Sequence, residues 1–328
     1  MAETNLPNDA NRDDDAQSAP RYTGIATFFR GAHVPEASAW RGVDIGLIGM
    51  PYDGGSTNRP GSRHGPRAVR EMSTMIAPFN TSLLMNPFET HRIADLGDAW
   101  VREPFALEPA LKEVHEFYAR VHAAGITPIS VGGDHSLSLS ILRALGAKRP
   151  LAMVHFDAHC DTGMGYMGSK YHHGAPFARA VEEGLLDPKR TVQIGIRGPM
   201  NSNDIWKFSR DSGMRVVSMD ECVERGVASV MAEARQIVGD APCYLSFDID
   251  CIDPAFAPGT GTPVIGGFTT REALQLVRGV EGLDLVGGDL VEVSPPWDVS
   301  NLTSLAAANL VFEIICQVSR AMSRRAKR

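Results

Sequence analysis

The chain contains no C-x-x-C pair, so a zinc site built on thiolates has no framework to use. Its five cysteines, Cys160, Cys222, Cys243, Cys251 and Cys316, form an odd and scattered set. Such a set does not make a disulfide framework and fits a reducing compartment. No apolar run reaches the roughly 18 residues of a membrane span. The start, Met1-Ala2-Glu3, lacks the basic and then apolar regions of a secretory signal. These absences predict a cytoplasmic protein. Charge is also sparse. A net charge of -7 argues against a nucleic-acid partner or an anionic membrane surface and suits a cationic small substrate. Internal repeats are absent. The glycine-rich run Pro258–Pro263 lacks the lysine and spacing of a phosphate-binding loop.

What is present is ordinary globular material. A hydrophobic fraction of 43% and a charged fraction of 22% over 328 residues allow a sizeable core. Residues 1–20 are rich in Asp, Asn, Ala and Pro without apolar periodicity and read as a loosely attached arm, with Asp13–Asp15 a solvated acidic run. Residues 21–328 read as one domain, since no linker interrupts them. Short apolar runs predict strands at Val43–Met50, Ile126–Val131, Leu151–Phe156, Val192–Ile196, Arg215–Met219, Cys243–Phe247 and Leu283–Leu290. Longer amphipathic stretches predict helices at Ala68–Ala77, Leu107–Ala123, Leu137–Leu145, Pro176–Leu185, Asp204–Asp211, Val227–Val238, Thr270–Val280 and Ser304–Met322. Strands alternating with helices imply a mostly parallel sheet covered on both faces. In such a sheet, reactive groups gather beyond the carboxyl ends of the strands.

Three motifs stand at those ends. In Val131-Gly132-Gly133-Asp134-His135-Ser136, two glycines let a strand turn sharply and leave His135 where it could ligate a metal. In His155-Phe156-Asp157-Ala158-His159-Cys160-Asp161, extended backbone would place Asp157, His159 and Asp161 on one face. The same alternation turns Cys160 away, as a small core side chain. Asp248 and Asp250 repeat the pattern after a buried strand, while Asp253, before a proline, shapes a turn. Carboxylates gathered at strand ends are costly to bury without compensating cations. Four carboxylates and two imidazoles exceed what a tetrahedral zinc site needs. They suit two Mn²⁺ ions, with Ni²⁺, Co²⁺ or Fe²⁺ as alternatives. Such a pair can bridge a water and lower its pKa. Beyond these ligands, one of His172 and His173 could relay protons. Glu292 could pair with a guanidinium or form a structural salt bridge.

Together the segments GGDHS (132–136), DAHCD (157–161) and SFDIDCIDPAFAPGTGTP (246–263) resemble the ureohydrolase family of arginases, agmatinases and guanidino-acid hydrolases. The likeness extends over roughly residues 40–320. It implies a three-layer α/β/α sandwich, arginase-like, and a binuclear manganese site. The implied ligands are His135, Asp157, His159, Asp161, Asp248 and Asp250. It further implies that His173, before Gly174, is the proton shuttle and that Glu292 faces the substrate. Asp161 is then the acceptor of the nucleophile's proton. The segments GIRG (195–198) and DLVEVSPPWD (289–298) resemble the agmatinase branch. The start Arg21–Phe28 and the region of Tyr166 are similar to guanidinobutyrate and guanidinopropionate hydrolases. The expected reaction is hydrolysis of a linear guanidino compound to urea and an amine, by a homo-oligomer, trimer or hexamer.

Ala175 stands where the family often has Thr or Gln, and Cys160 where Ala or Thr is usual. Met164, Tyr166 and Met167 make the following loop apolar. These departures leave the ligands intact and bear on the substrate. Alternatives are a small guanidine or biguanide as substrate, a non-catalytic subunit of a mixed assembly, and a deacetylase-type amide hydrolase. No cationic residue stands out as a clamp for a substrate carboxylate, although Arg59, Arg63 and Arg197 are available.

Overall fold

The computed structural model describes residues 20–199 and 206–327. The expectations for residues 1–19, Asp13–Asp15 among them, and for the start of a helix at Asp204 lie outside those residues. Eight strands form one sheet: β1 Ile45–Met50, β2 Ile93–Asp98, β3 Thr127–Gly132, β4 Leu151–Phe156, β5 Leu186–Ile196, β6 Arg215–Ser218, β7 Pro242–Asp248 and β8 Asp284–Val291. Their order is β2-β1-β3-β8-β7-β4-β5-β6, and every neighbouring pair is parallel. The sheet is therefore wholly parallel, where the sequence suggested mostly parallel.

The strand sequences explain this arrangement. β1, β3 and β4 are buried at every position, as strands covered on both faces must be. Alternation then divides β4 between two cores. Ala152, Val154 and Phe156 face one, and Leu151 and Met153 the other. Helices Gly65–Ser73, Val227–Val238, Thr270–Arg278 and Leu302–Arg325 fill the first core with Val69, Val230, Leu276 and Ile314. Helices Leu107–Ala123, Ser138–Leu145 and Pro176–Glu182 fill the second with Leu111, Leu142 and Phe177. Three layers result.

Helix Leu302–Arg325 is long and apolar enough to cross a membrane by length and composition. However, 78% of its apolar window is buried against the sheet and its neighbours, the setting of a core helix. All five cysteines are free and buried.

Several boundaries differ from expectation for identifiable reasons. Gly184, at φ +72°, ends helix Pro176–Glu182 and lets β5 begin at Leu186, earlier than Val192. Met219 opens helix Met219–Arg225, whose N-terminus the Ser218 side chain caps by accepting from the Glu221 amide; it does not end a strand. Strand β2 has no counterpart in the sequence reading. Its Asp95 and Asp98 break the apolar run, and both pair with Arg70.

The order of the sheet sets the site. β3, β8, β7 and β4 are its four central strands, and the three motifs and Glu292 follow directly from their carboxyl ends. Gly133 lies so close to the β1 loop that a Cβ there would stand 1.9 Å from the Tyr52 carbonyl oxygen. Only glycine permits that approach.

Candidate metal centre

Six side chains meet beyond the central strands, and they are the six singled out in the sequence. His135 Nδ1 stands 3.3 Å from Asp157 Oδ2, 2.9 Å from Asp161 Oδ2 and 3.1 Å from Asp248 Oδ2. His159 Nδ1 stands 3.4 Å from Asp157 Oδ1 and 3.1 Å from Asp250 Oδ2. Each group is compact enough to surround one ion. Asp157 gives one oxygen to each, so it joins the two positions. The first position is the more deeply buried, its Asp161 side chain 9% exposed against 36% for His159 at the second.

The residues fit a pair of divalent ions. His135 Nδ1 is buried and, among the described residues, has no hydrogen-bond partner despite three carboxylate oxygens around it. An imidazole nitrogen and carboxylate oxygens that face a common point form a ligand set. Without ions, electrostatics work against the cage. Burial raises the Asp248 carboxyl well above its usual range, and neighbouring Asp250 and Asp157 add to that. Burial also opposes charge on His135 and His159, but the carboxylates outweigh it and hold both imidazoles well above their ordinary pKa.

Local backbone brings these groups together by a route the alternation argument missed. β4 ends at Phe156, and residues 157–161 are loop rather than strand. Asp161 reaches the site because its backbone is left-handed, at φ +51°. Glu292 is likewise left-handed, at φ +64°. Such conformations are costly for residues with a Cβ and cluster where function over-determines them. Asp248 Oδ1 accepts from the Asp250 amide at 2.9 Å, fixing the short turn after β7.

Glu292 is buried, and its Oε1 accepts from the His135 amide at 2.9 Å and faces His173 Nδ1 at 3.0 Å. Its Oε2 points toward Gly261, where an added Cβ would stand 3.7 Å away. His173 therefore faces the site, whereas the ring of His172 accepts from the Gly174 amide within its own loop. Burial opposes protonation of His173, but Glu292, Asp161 and Asp134 raise its pKa to about 9. Burial and then Glu292 lift the Asp134 carboxyl to about 6.

Supporting residues went unrecognised in the sequence. His155 Nε2 lies 2.7 Å from Asp157 Oδ2, and its Nδ1 meets Gln193 at 3.1 Å. Ser246 and Asp289 stand behind His135. Thr57 meets the far side of the His173 ring. His155, Ser246 and Asp289 stand at the edges of the motifs without a readable role there; the pairing of β4 with β5 and of β7 with β8 brings these three out, and the loop after β1 supplies Thr57. Of the three arginines, Arg197 donates to the carbonyls of Gly195, Asp250, Cys251, Val264 and Ile265 and so is consumed in shaping the loop. Arg63 pairs with Asp53. Arg59 stacks on Trp297, 4.1 Å from its ring centroid, and has no acid partner among the described residues. Cys160 is buried, and burial lifts its thiol well out of the reactive range.

Comparison with known proteins gives a consistent result. The sequence profile of the arginase family matches residues 43–316. A guanidinopropionase from Pseudomonas aeruginosa is 52% identical, over 98% of this chain and 100% of its own. A guanidinobutyrase from the same organism is 46% identical, over 90% of this chain and 93% of its own. Among solved structures, proclavaminate amidinohydrolase from Streptomyces clavuligerus superposes with a TM-score of 0.88 at 42% identity, covering 92% of this chain and 100% of that one.

Proposed function

Since the chain belongs to the arginase family, we propose that it is an amidinohydrolase acting on a linear guanidino acid, releasing urea and an amino acid. Two divalent ions serve it, Mn²⁺ ahead of Ni²⁺. The observation that carries this reading is the cage itself: His135 Nδ1 converges with three carboxylate oxygens, next to a Glu292 that keeps Oε2 free. Paired divalent ions, when bound, lower the pKa of a water and neutralise charge developing on the attacked group.

The remaining work falls to the chain's own residues. Glu292 is held by its Oε1, which leaves Oε2 to pair with the guanidinium charge and orient its planar fork. Asp161 turns Oδ2 to His135 and Oδ1 toward Gly174, beside the shuttle histidine. A proton taken up at Asp161 is thus released near the His173 ring. His173, with a pKa of about 9, carries a proton at neutral pH and supplies it to the leaving nitrogen.

A substrate acid, rather than the amine agmatine, is favoured by the guanidino-acid hydrolases among the relatives and by Arg59. The Arg59 carbonyl lies 3.2 Å from where a Gly261 Cβ would stand, on the Glu292 Oε2 side of the site. Of the three arginines, Arg59 is the one whose guanidinium, among the described residues, is held neither by a carboxylate nor by backbone carbonyls. The exposed Met164, Tyr166 and Met167 offer apolar contact to a methylene chain. All six ligands being in place weighs against a non-catalytic subunit, and four carboxylates weigh against a single-zinc deacetylase. A cytoplasmic homo-oligomer, trimer or hexamer, completes the reading; the fully exposed Phe105 and the nearly fully exposed Ile25 suit surfaces covered by other copies.

The test is urea release from 3-guanidinopropanoate, 4-guanidinobutanoate, agmatine and a biguanide, with Mn²⁺ and Ni²⁺ supplied separately. Turnover of an acid above agmatine is expected. Turnover of agmatine or the biguanide alone would overturn the substrate class, and no urea from any compound would overturn the activity.

A further inference from the structure

We propose that Thr57 is a positioning residue for His173, whose hydroxyl holds the ring in place and links its second nitrogen to solvent. The ring is gripped from both sides. Its Nδ1 lies 3.0 Å from Glu292 Oε1 and its Nε2 lies 2.8 Å from Thr57 Oγ1. A carboxylate oxygen only accepts, so Nδ1 carries a hydrogen in both charge states of the ring. Nε2 is then the atom that gains and loses the mobile proton, which reaches the leaving nitrogen through the Thr57 hydroxyl and the water beyond it, Nε2–H passing to Oγ1 as the Oγ1 hydrogen passes on.

A hydroxyl is suited to that atom because it rotates. When the ring is neutral, Thr57 donates to the Nε2 lone pair; when the ring is charged, Nε2–H donates to Thr57 Oγ1. The ring changes protonation without moving and never leaves Nε2 unpartnered. Position supports the same role. The His173 side chain is only 12% exposed, while Thr57 is half-buried, so the hydroxyl stands between the ring and bulk water.

The loop that carries Thr57 is fixed independently of its side chain. Gly55 donates to Asp134 Oδ2 at 2.7 Å and its carbonyl accepts from the His173 amide at 2.9 Å. Asp53 accepts from the Gly61 amide at 2.8 Å and pairs with Arg63. Replacing Thr57 by valine keeps the branched shape and removes only the hydrogen bond.

This inference rests on His173 acting as the proton donor, and the experiment separates the two. His173→Asn, Thr57→Val and Thr57→Ser are compared with the parent for metal content, kcat, KM and the pH dependence of kcat. Thr57→Val is expected to keep its metals and KM within about threefold while kcat falls roughly 10- to 100-fold, part of what a positioned acid or base supplies. Its alkaline limb should move to lower pH by about one unit, because the charged ring loses a charge-assisted hydrogen bond and the neutral ring only a weaker one. Thr57→Ser should restore kcat to within about threefold and return the limb. An unchanged kcat and pH profile in Thr57→Val, with His173→Asn inactive, would overturn the role of Thr57 alone. Full activity in His173→Asn would overturn both readings. A loss in Thr57→Ser equal to that in Thr57→Val would show that the hydroxyl is not the cause. Should Thr57→Val not fold, Thr57→Ala is read in its place, with the same expected shift.

Discussion

His135 and Asp289 are tied together through one hydroxyl: His135 Nε2 meets Ser246 Oγ at 2.8 Å, and Ser246 Oγ donates to Asp289 Oδ1 at 2.7 Å. Asp289 also accepts from Ser138 and Tyr244 at 2.5 and 2.6 Å, so its own position is set by three donors. With Nε2 committed to this chain, Nδ1 is the nitrogen that turns to the carboxylates. Partners behind a ligating imidazole orient it and raise its basicity.

Ser246→Ala should therefore weaken metal binding roughly 10- to 100-fold while the fold persists. Bound Mn²⁺ after dialysis against a series of buffered free concentrations reads this directly. An unchanged binding curve would mean that the hydroxyl does not orient His135.

Glu292→Gln keeps the shape and the anchoring hydrogen bonds but removes the charge that faces the substrate. The expectation is a fall in kcat/KM on the order of 10- to 150-fold, the range set by losing one charged hydrogen bond. Metal content should not change, since Glu292 is outside both groups of ligands. Loss of metal in this variant would reassign Glu292 to the cage.

Asp157 and Asp250 should differ in what they cost. Asp157 serves both positions, whereas Asp250 serves the one with His159. Asp157→Ala is expected to empty both, and Asp250→Ala to leave the His135 position filled. Elemental analysis of the purified variants distinguishes these outcomes; full loading of Asp157→Ala would refute the shared role.

Acid and base should act oppositely on the empty and loaded protein. In the metal-free chain His135, His159 and Asp248 all hold protons more tightly than in the unfolded chain. The folded state then binds the extra protons, and stability falls as pH rises. The two histidines contribute fully below their unfolded pKa of about 6.5 and lose that contribution as pH climbs through their raised folded values. Divalent ions must displace those protons, so the melting-temperature gain from Mn²⁺ should grow from pH 6 to pH 9. Calorimetry in buffers of different ionisation heat should show proton release. A gain that shrinks with pH would refute this linkage.

Much of this was legible in the sequence because the ligands sit in short motifs directly after apolar strands. Leu107–Ala123, Leu151–Phe156 and Val227–Val238 fall at their expected bounds, each being strongly patterned. β2 was illegible because its acids need Arg70, a residue remote in sequence, to be buried. The ligand loop was legible in content but not in shape. Asp161 converges through a left-handed residue, which no alternation rule supplies. Thr57, His155 and Ser246 were hidden for another reason. The roles of His155 and Ser246 depend on which strands become neighbours, β5 beside β4 and β8 beside β7, and that of Thr57 on two loops distant in sequence meeting at His173.

The five buried cysteines have a practical corollary. A thiol-alkylating reagent finds no accessible sulfur while the sheet is closed, so its uptake clocks the opening of the molecule. The rate of labelling, followed with and without Mn²⁺, would report how far the ions slow that opening, and Cys222, Cys243 and Cys316, which stand apart from the ligand segments, would report it free of direct contact with the ions.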